Sequence, residues 1–178
     1  MAWSPYPVAG SKARASDIEN LISELRPNAA RKTANEIVNG SSTPQADDEL
    51  FVPVAASTYY VVNGLLVFTS GTTPDFRYTL SGPSGMTYSL NAKVFSRSLA
   101  APSVMVDTRT STSGNLGADG LGTTLSSQGQ IIELTGWVLT SVTPGTVTVL
   151  WSQNTSNGSD TTLYGPGSYF ELTRKTAS

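Results

Sequence analysis

The sequence predicts an all-β chain: an antiparallel β-sandwich, jelly-roll-like, preceded by an N-terminal arm with one short amphipathic helix. Three observations point there. From Leu50 to Phe170 the chain is a series of strand-like apolar runs cut by Ser, Thr, Gly and Asn, with nine charged side chains in the whole span. The punctuation between runs is strong: Asn39-Gly40, Ser70-Gly71, Ser81-Gly82-Pro83-Ser84-Gly85, Pro144-Gly145, Asn157-Gly158 and Gly165-Pro166-Gly167. No helical periodicity separates the runs, which argues against parallel βαβ units and leaves a sandwich or barrel.

Residues 1–30 are assigned to the arm. Trp3, Pro5, Tyr6 and Pro7 form an extended aromatic-proline lead, because proline fixes its own φ and pushes the residue before it out of the helical region. Ser16 as N-cap with Glu19 three residues on makes a capping box, and Pro27 follows, so the helix spans about 16–26. Ile18, Leu21, Ile22 and Leu25 fall at i, i+3, i+4 and i+7, on one face. A helix of about ten residues, roughly 15 Å long, is marginal alone in water and needs a surface to lie on.

Residues 31–178 are assigned to the sandwich. Candidate strands are Arg31 to Val38, Leu50 to Val54, Thr58 to Thr69, Phe76 to Leu80, Thr87 to Phe95, Val104 to Thr108, Gln130 to Ser141, Thr146 to Gln153 and Tyr169 to Arg174. The Gly/Ser/Thr-rich stretch from Thr110 to Gln128 has no pattern and predicts a long surface loop. In two strands apolar and polar residues alternate cleanly, Val147, Val149 and Trp151 in one and Phe170 and Leu172 in the other, which fits the edge of a simple sandwich. The run Tyr59 to Phe68 and the triplet Trp137-Val138-Leu139 differ, being apolar on both faces. An antiparallel sheet usually leaves one face to water, so this second apolar face implies a cover. The expected cover is a neighbouring copy, with Tyr59, Tyr60, Leu66, Phe68 and Trp137 as interface residues of a homo-oligomer.

Composition narrows the function classes. Charged residues make up 13% of 178, against about 25% in typical domains, and Ser and Thr supply about a quarter of the chain. A net charge of −2 provides no basic field for phosphates, so nucleic acid is not expected as a partner. Met1 to Gly10 has no basic segment followed by an apolar one, and no uncharged apolar run reaches eighteen residues, so neither a signal peptide nor a membrane span is expected.

There is no histidine and no cysteine. That removes Ser-His-Asp and Cys-His catalysis, the usual zinc sites, and disulfides. The acids of the strand region, Asp75, Asp107, Asp119, Glu133 and Asp160, are isolated in sequence, whereas a glycosidase needs two facing each other across a cleft. Asp47-Asp48-Glu49 could attract a cation, but hard cations need several oxygens from a preformed loop, and the run reads as a solvated acidic turn before a strand. Gly114, Gly117, Gly120 and Gly122 lack the Gly-Lys-Ser/Thr of a phosphate loop. Asn39, Asn154 and Asn157 match the glycosylation pattern, as a Ser/Thr/Asn-rich chain does by chance. Trp137 and Trp151 sit inside strand patterns and read as core rather than as sugar-stacking platforms. No enzyme, cofactor or metal is expected.

The passages ARKTANEIVNGSSTPQADDELFVPVAASTYYVVNGLLVFTSGTTPDFRYTLSGPSG and GTVTVLWSQNTSNGSDTTLYGPGSYFELTRK resemble small virion proteins of tailed bacteriophages, especially those of actinobacteria. Such proteins are head decoration, head-fibre or minor tail components. The resemblance covers about four fifths of the chain and rests on its pattern of strands and turns, with no catalytic or ligand signature to transfer. It implies a virion structural protein, made in the host cytoplasm, whose arm (Trp3, Tyr6, Ile18, Leu21, Ile22, Leu25) attaches to a major capsid protein, another virion protein or a neighbouring copy. Analogous jelly-roll appendages imply a homotrimer. The alternatives are a receptor- or carbohydrate-binding tail component, a small polysaccharide hydrolase of the tail, and a secreted adhesion module.

Overall fold

Period-two alternation turns apolar side chains inward along the core strands, and two sheets close over them. The structure, a computed structural model, describes residues 14–16, 18, 27–71, 73–95, 104–111 and 129–175, with backbone only for 94–95 and 104–111. Among the described residues the strands are β1 (Asn28–Arg31), β2 (Glu36–Val38), β3 (Gln45–Val54), β4 (Tyr59–Thr69), β5 (Phe76–Ser81), β6 (Thr87–Phe95), β7 (Val104–Ser111), β8 (Gln130–Leu139), β9 (Gly145–Gln153), β10 (Thr161–Leu163) and β11 (Tyr169–Lys175). The large sheet runs β1-β11-β4-β8-β6-β7, with β10 bridging β4 and β2 beside it; the small sheet runs β3-β9-β5. All pairings are antiparallel. In chain order β3 to β6 alternate between layers, β6 to β8 stay in the large one, and β9 returns between β3 and β5, in the wrapped manner of a jelly roll.

The core lies between the sheets. Tyr60, Val62, Leu66 and Phe68 of β4, Ile132, Leu134 and Val138 of β8, and Phe170 and Leu172 of β11 meet Leu50, Val52, Phe76, Leu80, Val147, Val149 and Trp151 of the small sheet. Phe76 stacks on Phe68 at 4.3 Å and on Trp151 at 5.7 Å, joining the layers. β4 passes straight through Asn63-Gly64, a dipeptide that elsewhere makes hairpin turns. Here Gly64 lets two strands close up: a Cβ at this position would lie 3.1 Å from Tyr169 O and 3.5 Å from Leu134 Cβ. Gly136 of β8 is tighter still, with φ +153° and no room for a Cβ against Ser89 O.

Several expectations change. The stretch 31–38 divides into two strands, and β1 begins at Asn28, so the sandwich takes three residues assigned to the arm. β3 starts five residues earlier than its apolar run, and β10 is a three-residue strand that alternation is too short to reveal. β9 and β11 are not edges: each lies between two other strands. Of the arm, Ile18 N donates to Arg14 O in one helical turn; Trp3, Tyr6, Leu21, Ile22 and Leu25 lie outside the described residues, as does 112–128 of the expected long loop.

Candidate functional site

β4 and β8, the strands that read as apolar on both faces, are neighbours in the centre of the large sheet. Their register sets Tyr59 opposite Leu139, Val61 opposite Trp137, and Val67 opposite Ile131. Because alternation sends Tyr60, Val62, Leu66 and Phe68 inward, it sends Tyr59, Val61, Leu65 and Val67 outward. Val67 is sheltered by the bend at Gly167, where a Cβ would come within 2.7 Å of it. At the other end nothing described covers the stripe. Tyr59 is 40% exposed and Leu139 43%, with half-buried Trp137 beside Tyr59 at a ring distance of 6.1 Å and 21° between planes. Val142, in the next turn, is 82% exposed.

Of the five residues expected at an oligomer interface, then, Tyr60, Leu66 and Phe68 are committed to the chain's own core and offer no surface. Tyr59 and Trp137 face outward, and the core reading of Trp137 is corrected while that of Trp151 stands. The base of the patch is rigid. Thr140 Oγ1 donates to Ala55 O at 2.7 Å and accepts from Thr58 N at 2.9 Å, Ser57 N donates to Ser141 O, and the buried Tyr60 hydroxyl accepts from Ala55 N. Ser57 sits at φ +49°, a strained value that these bonds hold in place. Polar neighbours flank the patch: Asn63 and Thr135 pair across β4 and β8, with Asn91 of β6 next in the same row.

The second cluster is not the solvated turn that its sequence suggests. Asp47, Asp48 and Glu49 lie in a bulge of β3, between the pairs Ala46–Leu150 and Phe51–Thr148. Asp47 is buried, and its Oδ1 accepts from Glu49 N and Leu50 N at 2.9 and 2.7 Å, so the side chain stands in for the missing strand partner. Its Oδ2 lies 3.0 Å from Nζ of Lys32, an ion pair outside hydrogen-bond geometry. Lys32 is wholly buried and also reaches Glu36 at 2.9 Å and Asp48 at 2.8 Å, with Glu49 at 3.8 Å. Burial works against its charge, but the contacts with Asp48, Glu36 and Asp47 outweigh it and hold the ammonium above the ordinary lysine range.

Burial pushes the Glu36 carboxyl up against the pull of Lys32. Glu49 accepts from the Thr33 hydroxyl, Thr33 N and Ala34 N, which bring its pKa down to about 2. Glu36, Asp47 and Asp48 place carboxylate oxygens within 4.8 Å of one another, the spacing a metal would use. The ammonium of Lys32 already sits among them, and these carboxylates tie the β1–β2 connection to β3, closing one side of the sandwich.

Several of the remaining acids and amides build turns. Asn39 Nδ2 donates to Gly158 O and Asp160 Oδ1, Ser159 N donates to Asn157 Oδ1, and the buried Gln153 amide donates to Ser159 O and accepts from Asn157 N. Glu133 stands opposite Lys93 on the outer face, and burial raises the carboxyl of Asp75. The side chains of Asp107 and Asp119 lie outside the described set. The bulge could not be read from the acidic run alone; an acidic triplet followed at once by a buried strand, with one lysine fifteen residues upstream, was the only signal.

No protein-family model and no curated protein matches the chain. Among solved structures it is similar to the Gx strain of infectious bursal disease virus, at 10% identity over 84% of this chain and 42% of that one, with a TM-score of 0.24. The Gt strain is similar at 10% identity, 84% and 43% coverage, and TM-score 0.23. The VP2 subviral particle of the same virus follows at 16% identity, 86% and 43% coverage, and TM-score 0.22. This chain spans less than half of each, and superpositions this loose carry no argument about function.

Proposed function

We propose that the chain is a non-enzymatic structural protein of a bacteriophage virion, a capsid decoration or head-appendage protein that acts by burying surface against copies of itself and against the particle. The observation that carries this reading is the outward apolar stripe on β4 and β8. A charge-poor sandwich that already has a full core keeps a second set of apolar side chains on a rigid face, where their use is burial in a repeated interface. The arm, through Trp3, Tyr6 and the Ile18, Leu21, Ile22, Leu25 face, attaches it to a capsid protein or a neighbouring subunit. The sandwich assembles as a trimer. Mass spectrometry of gradient-purified particles tests the reading: the chain at a copy number matching capsid lattice points supports it, and its absence from particles overturns it.

One observation favours a second reading, a tail component that recognises a receptor or carbohydrate. Tyr59 and Trp137 present an aromatic pair next to the amides and hydroxyls of Asn63, Asn91 and Thr135, which suits stacking on a sugar ring and hydrogen bonding to its rim. Glycan-array binding that disappears in Trp137→Ala would establish it, and a blank array would remove it.

A further inference from the structure

Two apolar sets of the chain have no described partner. One is the patch of Tyr59, Val61, Trp137 and Leu139. The other is the face of Ile18, Leu21, Ile22 and Leu25 in the segment just before β1.

Strand register shows where that segment joins the sheet. Asn28 pairs with Leu172, which pairs with Val62, so the residue before Asn28 arrives level with Thr173, Val61 and Trp137. From β1 to β8 is three strand spacings, roughly 14 Å at about 4.8 Å each. Ten helical residues span about 15 Å, enough to cover that width. Charge agrees. On a helix Asp17 and Glu24 flank the apolar face on one side, and Lys175, opposite Tyr59, is exposed at the rim of the patch. Among the described residues of one copy no such pairing is seen: Ile18 is 52% exposed, and Tyr59 and Leu139 stay open.

We infer that residues 16–25 of one copy lie across the outer face of the large sheet of a second copy, over Tyr59, Val61, Trp137 and Leu139, so that copies are held together by exchanged arms. This deepens the arm half of the function proposed above by naming what the arm grips. Each arm contributes one apolar face and each sheet one patch, and exchange satisfies both without opening either sandwich.

The chain has no cysteine, so introduced ones report without ambiguity. Ile22→Cys and Leu139→Cys, carried on separately tagged copies and co-expressed, should form a disulfide between copies on mild oxidation. Ile22→Cys with Ile131→Cys, at the far end of the same face, should not. A link found only within a chain bearing both Ile22→Cys and Leu139→Cys would mean that the arm folds back on its own sheet, and would overturn the inference. So would a yield no higher than the Ile131→Cys control, which would hand the patch to another occupant. Sedimentation provides a second readout. Trp137→Asp on the sheet and Leu21→Asp on the arm should each weaken self-association at least tenfold, with the melting of the dissociated chain unchanged for Leu21→Asp; unaltered association in both overturns the inference. Absence of the chain from particles would sink the virion reading and leave an observed inter-copy link standing.

Discussion

The two faces of β4 and β8 are built from the same kinds of residue and do different work. On the inner face Tyr60, Val62, Leu66, Phe68, Ile132, Leu134 and Val138 are packed against the small sheet; on the outer face Tyr59, Val61, Trp137, Leu139 and Ile131 are half-covered or open. Apolar character by itself therefore does not say which residues stabilise the fold. The inner set gains its stability from a second layer of fixed partners, whereas the outer set retains free energy that only another surface can release.

The comparison breaks most easily on the inside. Phe68→Ala removes the ring that stacks on Phe76 and leaves a cavity between the layers, at a cost of about 3–5 kcal/mol; a loss under about 1 kcal/mol in denaturant melts would mean that the inner face is not the core. Lys32→Met tests the place where, among the described residues, a charge is buried at the rim of that core. Removing the ammonium leaves Asp47 buried without its counter-ion among Glu36, Asp48 and Glu49, and should also cost about 3–5 kcal/mol. A stable Lys32→Met variant would show that the carboxylates simply turn to solvent.

Acid titration should give an intermediate effect. Glu49 has a folded pKa of about 2, below its ordinary 4.5, so its contribution is present above 4.5 and is lost as pH falls from 4.5 through 2. Glu36 has the opposite sign: its raised pKa means that the fold gives up stability as pH rises through the ordinary carboxylate range, which partly offsets Glu49. Lys32, held above the ordinary lysine range, contributes fully below 10.5 and loses its contribution only in stronger alkali. Melting temperature should thus be flat near neutrality and decline below pH 4.5, and Glu49→Gln should reduce that decline. An identical acid profile in the variant would detach Glu49 from it.

The smallest effect is expected on the outer face. Tyr59→Ala should cost the isolated chain about 0.5–1.5 kcal/mol, the value of an aromatic pair, while self-association responds far more. A loss as large as that of Phe68→Ala would erase the distinction between the faces.

Much of the sandwich was legible because a strand displays its environment every second residue. The long strands and the inward placement of Val147, Val149 and Trp151 follow from local pattern. The short strand β10 was not legible, since three residues carry no period, nor was the opening of β3, where a bulge suspends alternation. At the candidate site, the surplus on β4 and β8 could be read one strand at a time. That Tyr60, Leu66 and Phe68 face the core was not legible, because that surplus says two faces are apolar without saying which is inside.

By itself the sequence determined an all-β, charge-poor chain with two strands too apolar for one core and an amphipathic segment ahead of them, because composition and period are local properties of the chain. Tertiary structure alone decided that β4 and β8 lie side by side with Tyr59 against Leu139 and Val61 against Trp137, and that Lys32 is buried among acids four to seventeen residues away. Both follow from strand order and register, which depend on how the whole set of strands shares one core, and no single stretch of sequence contains that information.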